Sequence, residues 1–347
     1  MATPQKNGRA RMADVARKAG VALVTVSRAF SDPDKVSSET RARIAAAAAE
    51  LGYVPNLLAG SLASSRSRII AMTVPTLANS FFAETAQSIS SVLRDQGYQL
   101  LLGDSGYSVE EEESLVRAFL GRQPDGFIVT GSRHSEAARA LLAGAGIPVV
   151  ETWEIPADAI DMAVGFSNEA AAAAMTEELV AAGYRRIGLL AWGVGNNARN
   201  DQRVAGHRGV LARHGLAEDL FVATEGASAM ECGSRTLPKL VERWPDVEAV
   251  FCADDMIAVG ALLECQRRGW SVPERIAIAG FGDFDIARQV NPGLTTIRIP
   301  ASAIGAEAAR LLLDRLGGRE PEKRIVDLGF ELVRRGSCRV SGPHASS

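Results

Sequence analysis

The stretch MADVARKAGVALVTVSRAF (residues 12–30) predicts two short helices joined by a tight turn, with Gly20 ending the first helix. The first helix has a small apolar face, formed by Ala13, Val15, Ala16 and Ala19. The second helix, Leu23–Phe30, turns Val26 and Phe30 inward. Its other faces carry side chains that a DNA major groove accepts: Leu23, Val24, Thr25, Ser27 and Arg28. Taken alone, this segment is equally compatible with an ordinary helical hairpin.

A third helix follows this pair. Ser37 is suited to cap its N-terminus, Glu39 suits the positive first turn, and Gly52 is a stop signal. Three helices of this size give a core from only some fifty residues, so we expect the head to be marginally stable by itself.

Length and composition predict a soluble globular protein of two or three domains. The chain has 347 residues, of which 47% are hydrophobic and 23% charged. Its four cysteines lie far apart without a CxxC pair, so we expect no metal site, no disulfide framework and no cofactor. The first fifteen residues lack the apolar core of a signal peptide, and no apolar run reaches the ~18 residues that a membrane span needs. We therefore expect a cytoplasmic protein.

Charge is distributed unevenly along the chain. Residues 1–70 hold eleven Lys/Arg and five Asp/Glu, a net charge of +6, whereas the remaining residues carry a net charge of −9. A basic head on an acidic body is typical of a nucleic-acid-binding arm attached to a core that does not bind nucleic acid. Chance unevenness in a short segment would give the same charge pattern.

A short linker follows the head. Pro55 ends the preceding helix, and Asn56 is suited to cap a new one that runs to about Ser64. Isolated helices shorter than ~12–15 residues are marginal in water. We therefore hypothesise that residues 56–64 fold only when two copies pack together on DNA; the alternative is a plain flexible linker.

From Ser67 onward, strands and helices alternate, which predicts α/β sheets with helices on both faces. An amphipathic helix is expected at Phe81–Gln96. The predicted strands are Arg68–Val74, Gln99–Gly103, Gly126–Thr130, Ile147–Glu151, Met162–Phe166, Ile187–Trp192, Ala249–Ala253 and Ile276–Phe281. Their number favours two sheets over one.

Three runs in order, ADVARKAGVALVTVSR, VSSETRARIAAAAAELGYVPN and LLAGSLASSRS, resemble the head of the lactose-repressor family of bacterial transcription regulators. The resemblance continues through the whole chain. It implies a homodimer that binds double-stranded operator DNA under the control of a small-molecule effector. The implied domains are a helix-turn-helix head (1–55), a hinge helix (56–66) and a two-lobe body (67–347) like periplasmic sugar-binding proteins. Lobe 1 would comprise residues 67–160 and 292–325, and lobe 2 residues 161–291 and 326–340.

The resemblance also implies DNA contacts, with some departures from the family pattern. Leu62 matches a leucine that enters the minor groove and kinks the duplex, and Asn56 at the start of the hinge is also expected to contact DNA. Ala22 stands where Ser or Thr is common. Leu23 and Val24 stand where polar side chains are common, and they favour apolar contacts such as thymine methyls. Arg28 is then the best candidate for a bidentate guanine contact, while Thr25 and Ser27 are expected to contact phosphates.

The effector residues implied by the resemblance follow strands or begin helices: Phe82, Arg203, Asp254, Asp255 and Asp283. Carboxylates accept hydrogen bonds from hydroxyls, and an arginine fork holds a carboxylate, which fits a sugar acid. The alternatives are a helix N-cap for each aspartate and core packing for Phe82. AVGFSNEA, ALLECQRRGW, VPERIAIAGF and VDLGFEL resemble gluconate-operon repressors most, although Ser167 stands where that subgroup usually has Asp. The implied effector is gluconate or a similar sugar acid.

Two other functions compete with a regulator. Residues 193–198, GVGNNA, satisfy the GxGxxA dinucleotide-binding pattern after the strand Ile187–Trp192, which would fit a nucleotide-dependent enzyme. That placement would put the first dinucleotide turn behind several earlier strand–helix units. A periplasmic sugar-binding protein would share the two-lobe body, but it would have a signal peptide and no DNA-binding head.

Overall fold

The computed structural model describes residues 10–54, 66–224 and 228–339. The chain divides into two compact units, Met1–Arg68 and Ile69–Ser347, called here the head and the body. The hinge segment predicted at residues 56–64, including Asn56 and Leu62, lies outside the described residues, and its helix stays a prediction.

The head consists of helices α1 (Met12–Ala19), α2 (Leu23–Ser31) and α3 (Ser38–Leu51), with a 3-10 turn at Pro33–Lys35. Gly20 ends α1 with a left-handed φ of 65°, and the next amide, that of Val21, donates to the carbonyl of Ala16 at 3.1 Å. At the start of α3, the Ser37 hydroxyl accepts the Thr40 amide at 3.4 Å, which confirms the predicted cap.

The head core is small and built mainly from alanine and valine. Its buried residues are Val15, Ala16, Ala19, Val26, Ile44, Ala47 and Ala48. Ala13 was predicted on this face but is exposed. At 3.6 residues per turn, positions 15, 16 and 19 share one side of the helix, and position 13 lies outside it. Arg43 of α3 donates to the carbonyl of Ala19 at 2.5 Å, which joins the third helix to the end of the first.

The body contains two parallel sheets and one antiparallel pair of strands. The strands are β1 (Ile69–Val74), β2 (Gln99–Asp104), β3 (Gly126–Thr130), β4 (Val149–Thr152), β5 (Met162–Gly165), β6 (Ile187–Trp192), β7 (Phe221–Thr224), β8 (Ala249–Cys252), β9 (Ala277–Ala279), β10 (Thr296–Arg298), β11 (Ile325–Asp327) and β12 (Glu331–Val333). The first sheet has the order β11-β5-β4-β3-β1-β2, and the second β7-β6-β8-β9.

Helices cover both faces of the sheets. They are α4 (Ser80–Asp95), α5 (Val109–Leu120), α6 (Glu136–Gly144), α7 (Asn168–Ala181), α8 (Ala198–Arg213), α9 (Ala229–Arg243), α10 (Asp255–Arg268) and α11 (Ala301–Leu316). In β1, Ile70 and Met72 join the core that includes α4 and α11, whereas Ala71 joins the core under α5 and α6. This alternation confirms the predicted α/β architecture with helices on both faces.

The lobe boundaries predicted inside the body were wrong in three places. Strand β5 was assigned to lobe 2, but it pairs with β4 and β11 in the first sheet. Strand β11 therefore lies in lobe 1 beyond the predicted end at 325. Strand β10 was assigned to lobe 1, but it pairs with β12 and bridges residues 279–282 beside the second sheet. Apolar patterning identifies a buried strand but does not say which strand it pairs with.

Neighbouring helices of the second lobe pack backbone to backbone at glycines. A Cβ on Gly206 of α8 would overlap the carbonyl oxygen of Glu169 in α7. Gly233 of α9 and Gly260 of α10 approach each other's helices in the same way.

Among the described residues, no helix has the length and apolarity that a membrane crossing requires.

We expect Gly206→Ala to lower the free energy of unfolding by roughly 1–3 kcal/mol, because the added methyl group must push α7 and α8 apart. The matched control is Gly209→Ala on the same helix, where the nearest atom to an added Cβ is 3.7 Å away. That change should be neutral or stabilising by up to about 1 kcal/mol, since alanine favours helix. Urea unfolding of both variants checks the prediction, and equal effects would contradict it.

Candidate DNA-binding surface and effector cleft

Helix α2 presents an exposed face opposite its buried Val26. Leu23 and Val24 are 52% and 61% exposed, and Ser27 and Arg28 are also exposed. These four residues lie at positions i, i+1, i+4 and i+5 and so share one side of the helix. Thr25 is half-buried at the edge of this side. The surface has the combination of apolar, hydroxyl and guanidinium groups that reads base edges.

Two further features of α2 concern its ends. Ala22 begins the helix without a side-chain cap, so its first amides have no side-chain acceptor and can face a phosphate. Phe30 was predicted to face inward, but it is 37% exposed and its ring centroid lies 6.1 Å from that of Tyr53. Because Phe30 is the penultimate residue of α2, its ring only partly reaches the core.

The body holds a cleft where strands of both sheets end, the place expected for a ligand in doubly wound sheets. A cavity of about 50 Å³, open to solvent, lies there between the loops after β1, β2, β3 and β4 and the N-terminus of α8. Its polar lining includes Tyr107, Glu112, Glu154, Asn197 and Arg199. Both lobes therefore contribute side chains to one cavity.

Arg203 is buried on α8, one turn after the cavity-lining Arg199, and its Nε and Nη1 have partners within the protein. Its Nε donates to Asn168 Oδ1 at 3.0 Å, and its Nη1 donates to the carbonyl of Ala253 at 2.6 Å. The guanidinium carbon lies 3.8 Å from the ring centroid of Phe281. Burial lowers the pKa of Arg203 to about 9, against the opposing effect of Asp254, so the side chain is charged at neutral pH.

Asp254 joins the two lobes. It caps α10 by accepting the Met256 amide at 2.7 Å, and it accepts a hydrogen bond from Asn79, the residue that caps α4 in the first lobe. Burial raises the pKa of Asp254, while its amide hydrogen bond and Arg203 lower that pKa. The N-cap alternative is therefore correct for Asp254, but the same carboxylate also lies beside Arg203.

Asp255 and Asp283 have intramolecular partners for both carboxylate oxygens. Asp255 accepts the Phe284 amide at 2.8 Å and the Thr296 hydroxyl at 2.6 Å. Asp283 pairs with Arg298 at 2.7 Å and with Arg335 at 2.5 Å. These two aspartates join β8 and β9 to the strand β10 and to the C-terminal segment, so their positions fit a structural role.

Phe82 lies within an aromatic cluster between the lobes. Its ring centroid is 5.2 Å from that of Trp153, and the guanidinium of Arg199 lies 5.5 Å from the Phe82 ring. Phe81 contacts the same Trp153 and also Phe284 of the second lobe, at 4.0 Å between centroids. Phe82 is 4% exposed, so it combines core packing with a place next to the charged wall of the cleft.

The sequence did not predict several cleft residues, among them Arg199, Tyr107 and Glu154. Arg199 is buried and pairs with Glu154 at 3.4 Å, while Tyr107 hydrogen-bonds Arg199 and packs edge-on against Trp192 at 5.0 Å. The spacing of Arg199 and Arg203 was a usable signal, because residues four apart share one face of a helix. Tyr107 and Glu154 follow strands and resemble any loop residue in sequence.

Comparison with known proteins identifies the family. A profile of the bacterial regulatory proteins of the lacI family matches residues 11–56, and a profile of a periplasmic binding protein-like domain matches residues 176–338. The HTH-type transcriptional regulator GntR of Pseudomonas aeruginosa is 40% identical over 331 residues, which are 95% of this chain and 96% of that protein. This chain belongs to the lacI family. It is a DNA-binding transcriptional regulator.

Solved structures of LacI-family proteins share the fold. The structure of a LacI-family transcriptional regulator from Silicibacter pomeroyi has a TM-score of 0.89 at 35% identity, covering 94% of this chain and 99% of that one. A lac repressor dimer bound to operator and the anti-inducer ONPF has a TM-score of 0.81 at 26% identity, covering 95% and 99% of the two chains.

The glycine-rich loop of this LacI-family regulator binds an arginine of its own first lobe. Arg133 donates to the carbonyl of Gly195 at 2.9 Å and to Asp201 Oδ2 at 3.0 Å, while the Gly195 amide donates to Asp201 Oδ1 at 2.7 Å. The loop therefore contributes to closing the lobes. Since the relatives are transcriptional regulators, the alternatives of a dinucleotide-dependent enzyme and of a periplasmic binding protein are wrong.

A buried ionic cluster lies behind the first-lobe wall of the cleft. His134 Nδ1 lies 2.7 Å from Glu112 Oε2, and its Nε2 lies 3.6 Å from Glu151 Oε1. Burial alone lowers the pKa of His134, but the two glutamates outweigh burial and raise that pKa to about 9. His134 is therefore a cation at neutral pH.

This cluster predicts a pH-dependent stability term. A histidine with a raised folded-state pKa stabilises the fold fully below its ordinary pKa of 6.5, and this contribution is lost as pH rises toward 9. The stability difference between the wild type and His134→Gln should therefore shrink as pH increases from 6.5 to 9. Urea unfolding of both proteins across this range checks the prediction.

Other titrating groups do not disturb this comparison. Burial raises the pKa of Asp255 to about 7 and lowers that of His207 to about 3, but both residues are present in the two proteins. His214→Gln, which removes an exposed histidine 2.8 Å from Glu177, is the matched control and should change stability little. A stability difference that stays constant from pH 6.5 to 9 would contradict the assigned charge of His134.

Proposed function

We propose that this regulator is a homodimeric repressor whose operator affinity is controlled by a sugar acid of the gluconate type, bound between the two lobes. The supporting observation is the pair of buried arginines, Arg199 and Arg203, beside a cavity that also carries carboxylates. An arginine fork binds a carboxylate, and acidic side chains accept hydrogen bonds from hydroxyls. Because a DNA-binding regulator must reach its operator, we propose that the protein is cytoplasmic.

The effector contacts follow from the cleft. We assign Arg199, Arg203 and Asp254 to the ligand, with Phe82 forming an apolar edge. Asp255 and Asp283 instead hold the loops that carry these residues. Ligand binding would change how the lobes meet, and the ligand controls DNA affinity only to the extent that it prefers one arrangement.

The DNA contacts are proposed for α2 and the hinge. Leu23, Val24 and Arg28 would read bases in the major groove, while Thr25 and Ser27 would contact phosphates. Leu62, with Asn56 beginning its helix, would enter the minor groove of an operator bound by two copies. Two heads of one dimer predict a near-palindromic operator.

We expect Arg28→Ala to weaken operator binding roughly ten- to hundredfold, because a bidentate arginine–guanine contact contributes about 1–3 kcal/mol. The operator is first obtained by selection from random DNA with the wild-type protein, and affinities are then measured by fluorescence anisotropy. Arg235→Ala, which removes an exposed arginine of the second lobe, is the matched control for the loss of one charge. Equal affinities of the two variants for the selected operator would contradict the role of Arg28.

We expect Arg203→Lys to retain operator affinity but to lose at least tenfold in gluconate affinity, because lysine keeps the charge without the fork. Isothermal titration with gluconate measures the effect, and thermal unfolding checks that the variant is folded. Arg208→Lys, at an exposed position of the same helix, is the control. A variant that binds gluconate normally and still releases operator would show that the effector lies elsewhere.

A further inference from the structure

Glu112 is a buried carboxylate on the first-lobe wall of the cavity. It lies in the first turn of α5 and is 7% exposed. Its Oε2 is held by His134 at 2.7 Å, and its Oε1 lies 3.4 Å from the Thr73 hydroxyl. Because each carboxylate oxygen can accept two hydrogen bonds, each has acceptor capacity left for a ligand.

The wall from the second lobe has the complementary chemistry. Arg199 has five N–H donors, and within the part of the chain that the structure describes its acceptors are Glu154, at a long 3.4 Å, and Tyr107. The Glu154 carboxylate also accepts hydrogen bonds from Ser132 at 2.6 Å and from Gln202 at 3.1 Å. It therefore compensates only part of the positive charge of Arg199. Arg199 therefore has N–H donors to spare for a ligand anion.

Asn197 adds an unsatisfied acceptor to the same wall. It lines the cavity, is 8% exposed, and its Oδ1 has no hydrogen-bond partner among the described residues. A buried acceptor without a partner is costly, and a ligand hydroxyl would satisfy it. The cavity thus offers the N–H donors of Arg199 together with two acceptors, Asn197, which lacks a partner among the described residues, and Glu112, which has acceptor capacity left. Arg133, the other arginine of the lining, is engaged by Gly195 and Asp201.

We propose that Glu112 is a specificity-determining residue that admits sugar acids with a single carboxylate and rejects those with a carboxylate at both ends. This inference rests on the proposed sugar-acid effector. The one carboxylate binds at Arg199, and the hydroxyl tail donates to Glu112 and Asn197. A second carboxylate cannot donate to Glu112 and is repelled by its charge.

His134 is the positioning residue for Glu112. The imidazole Nδ1 lies 2.7 Å from the Glu112 carboxylate and fixes its position, while Glu151 lies 3.6 Å from Nε2 on the other side of the ring. A glutamate that served only as a partner for His134 would not need to line the cavity. Glu113, the next residue, has other partners: it accepts hydrogen bonds from Ser135 and Arg117 and does not line the cavity.

The test compares gluconate with glucarate, which differs by a carboxylate in place of the terminal hydroxymethyl group. Isothermal titration of the full-length wild type should show tighter binding of gluconate than of glucarate. Glu112→Gln should lower the ratio of the two affinities roughly ten- to hundredfold, because it removes the like charge that opposes glucarate. Glu113→Gln is the matched control, since it removes the same charge one residue away and should leave the ratio unchanged.

A ligand-side measurement covers the case in which Glu112→Gln does not fold. The 6-amide of glucaric acid has the size of glucarate without its second charge, so the wild type should bind the amide much more tightly than glucarate. The specificity assignment alone is overturned if the wild type binds gluconate but binds the amide and glucarate with equal affinities. It is also overturned if folded Glu112→Gln keeps the wild-type ratio of gluconate affinity to glucarate affinity. Failure of the wild type to bind gluconate overturns the proposed effector class and this inference together.

Discussion

Charged side chains buried between the two lobes set the constraint on which the body depends. An unpaired buried charge is expensive, so each must find a partner, and here the partners come from opposite lobes. Arg199 of the second lobe reaches Glu154 of the first, and Asp254 of the second lobe accepts from Asn79 of the first. If the lobes separate, these groups lose their partners and need water or a ligand to replace them. A ligand that offers a carboxylate and hydroxyls is therefore a direct competitor for the same partners.

The segments joining the lobes are tied down by aspartates rather than by ligand. Asp255 connects the start of α10 to Thr296 in β10 and to the amide of Phe284, and Asp283 connects the same region to Arg298 and Arg335. These contacts hold the crossing strands close to the second sheet. The crossing strands are therefore tied to the second sheet by contacts that do not involve the cleft residues Arg199 and Glu154.

Local patterns in the sequence predicted the elements but not all of their partners. Helix ends such as Gly20 and Ser37 could be identified because capping depends on residues nearby in the chain. Strand β5 was placed in the wrong lobe because pairing with β11 joins residues about 160 positions apart. Arg203 could be named by family resemblance, whereas Glu154 and Tyr107 acquire their role only through long-range contacts with Arg199.

The loop GVGNNA shows how one pattern serves different chemistry. In a dinucleotide site, such glycines let the backbone approach a pyrophosphate at a helix N-terminus. Here the carbonyl of Gly195 accepts a hydrogen bond from one terminal nitrogen of Arg133, and the carboxylate of Asp201 accepts one from the other. A site that presents hydrogen-bond acceptors to a guanidinium does not also attract a phosphate, because the phosphate oxygens would face the acceptor oxygens of the loop. The same loop geometry therefore selects a cation once a carboxylate lies six residues after its second glycine.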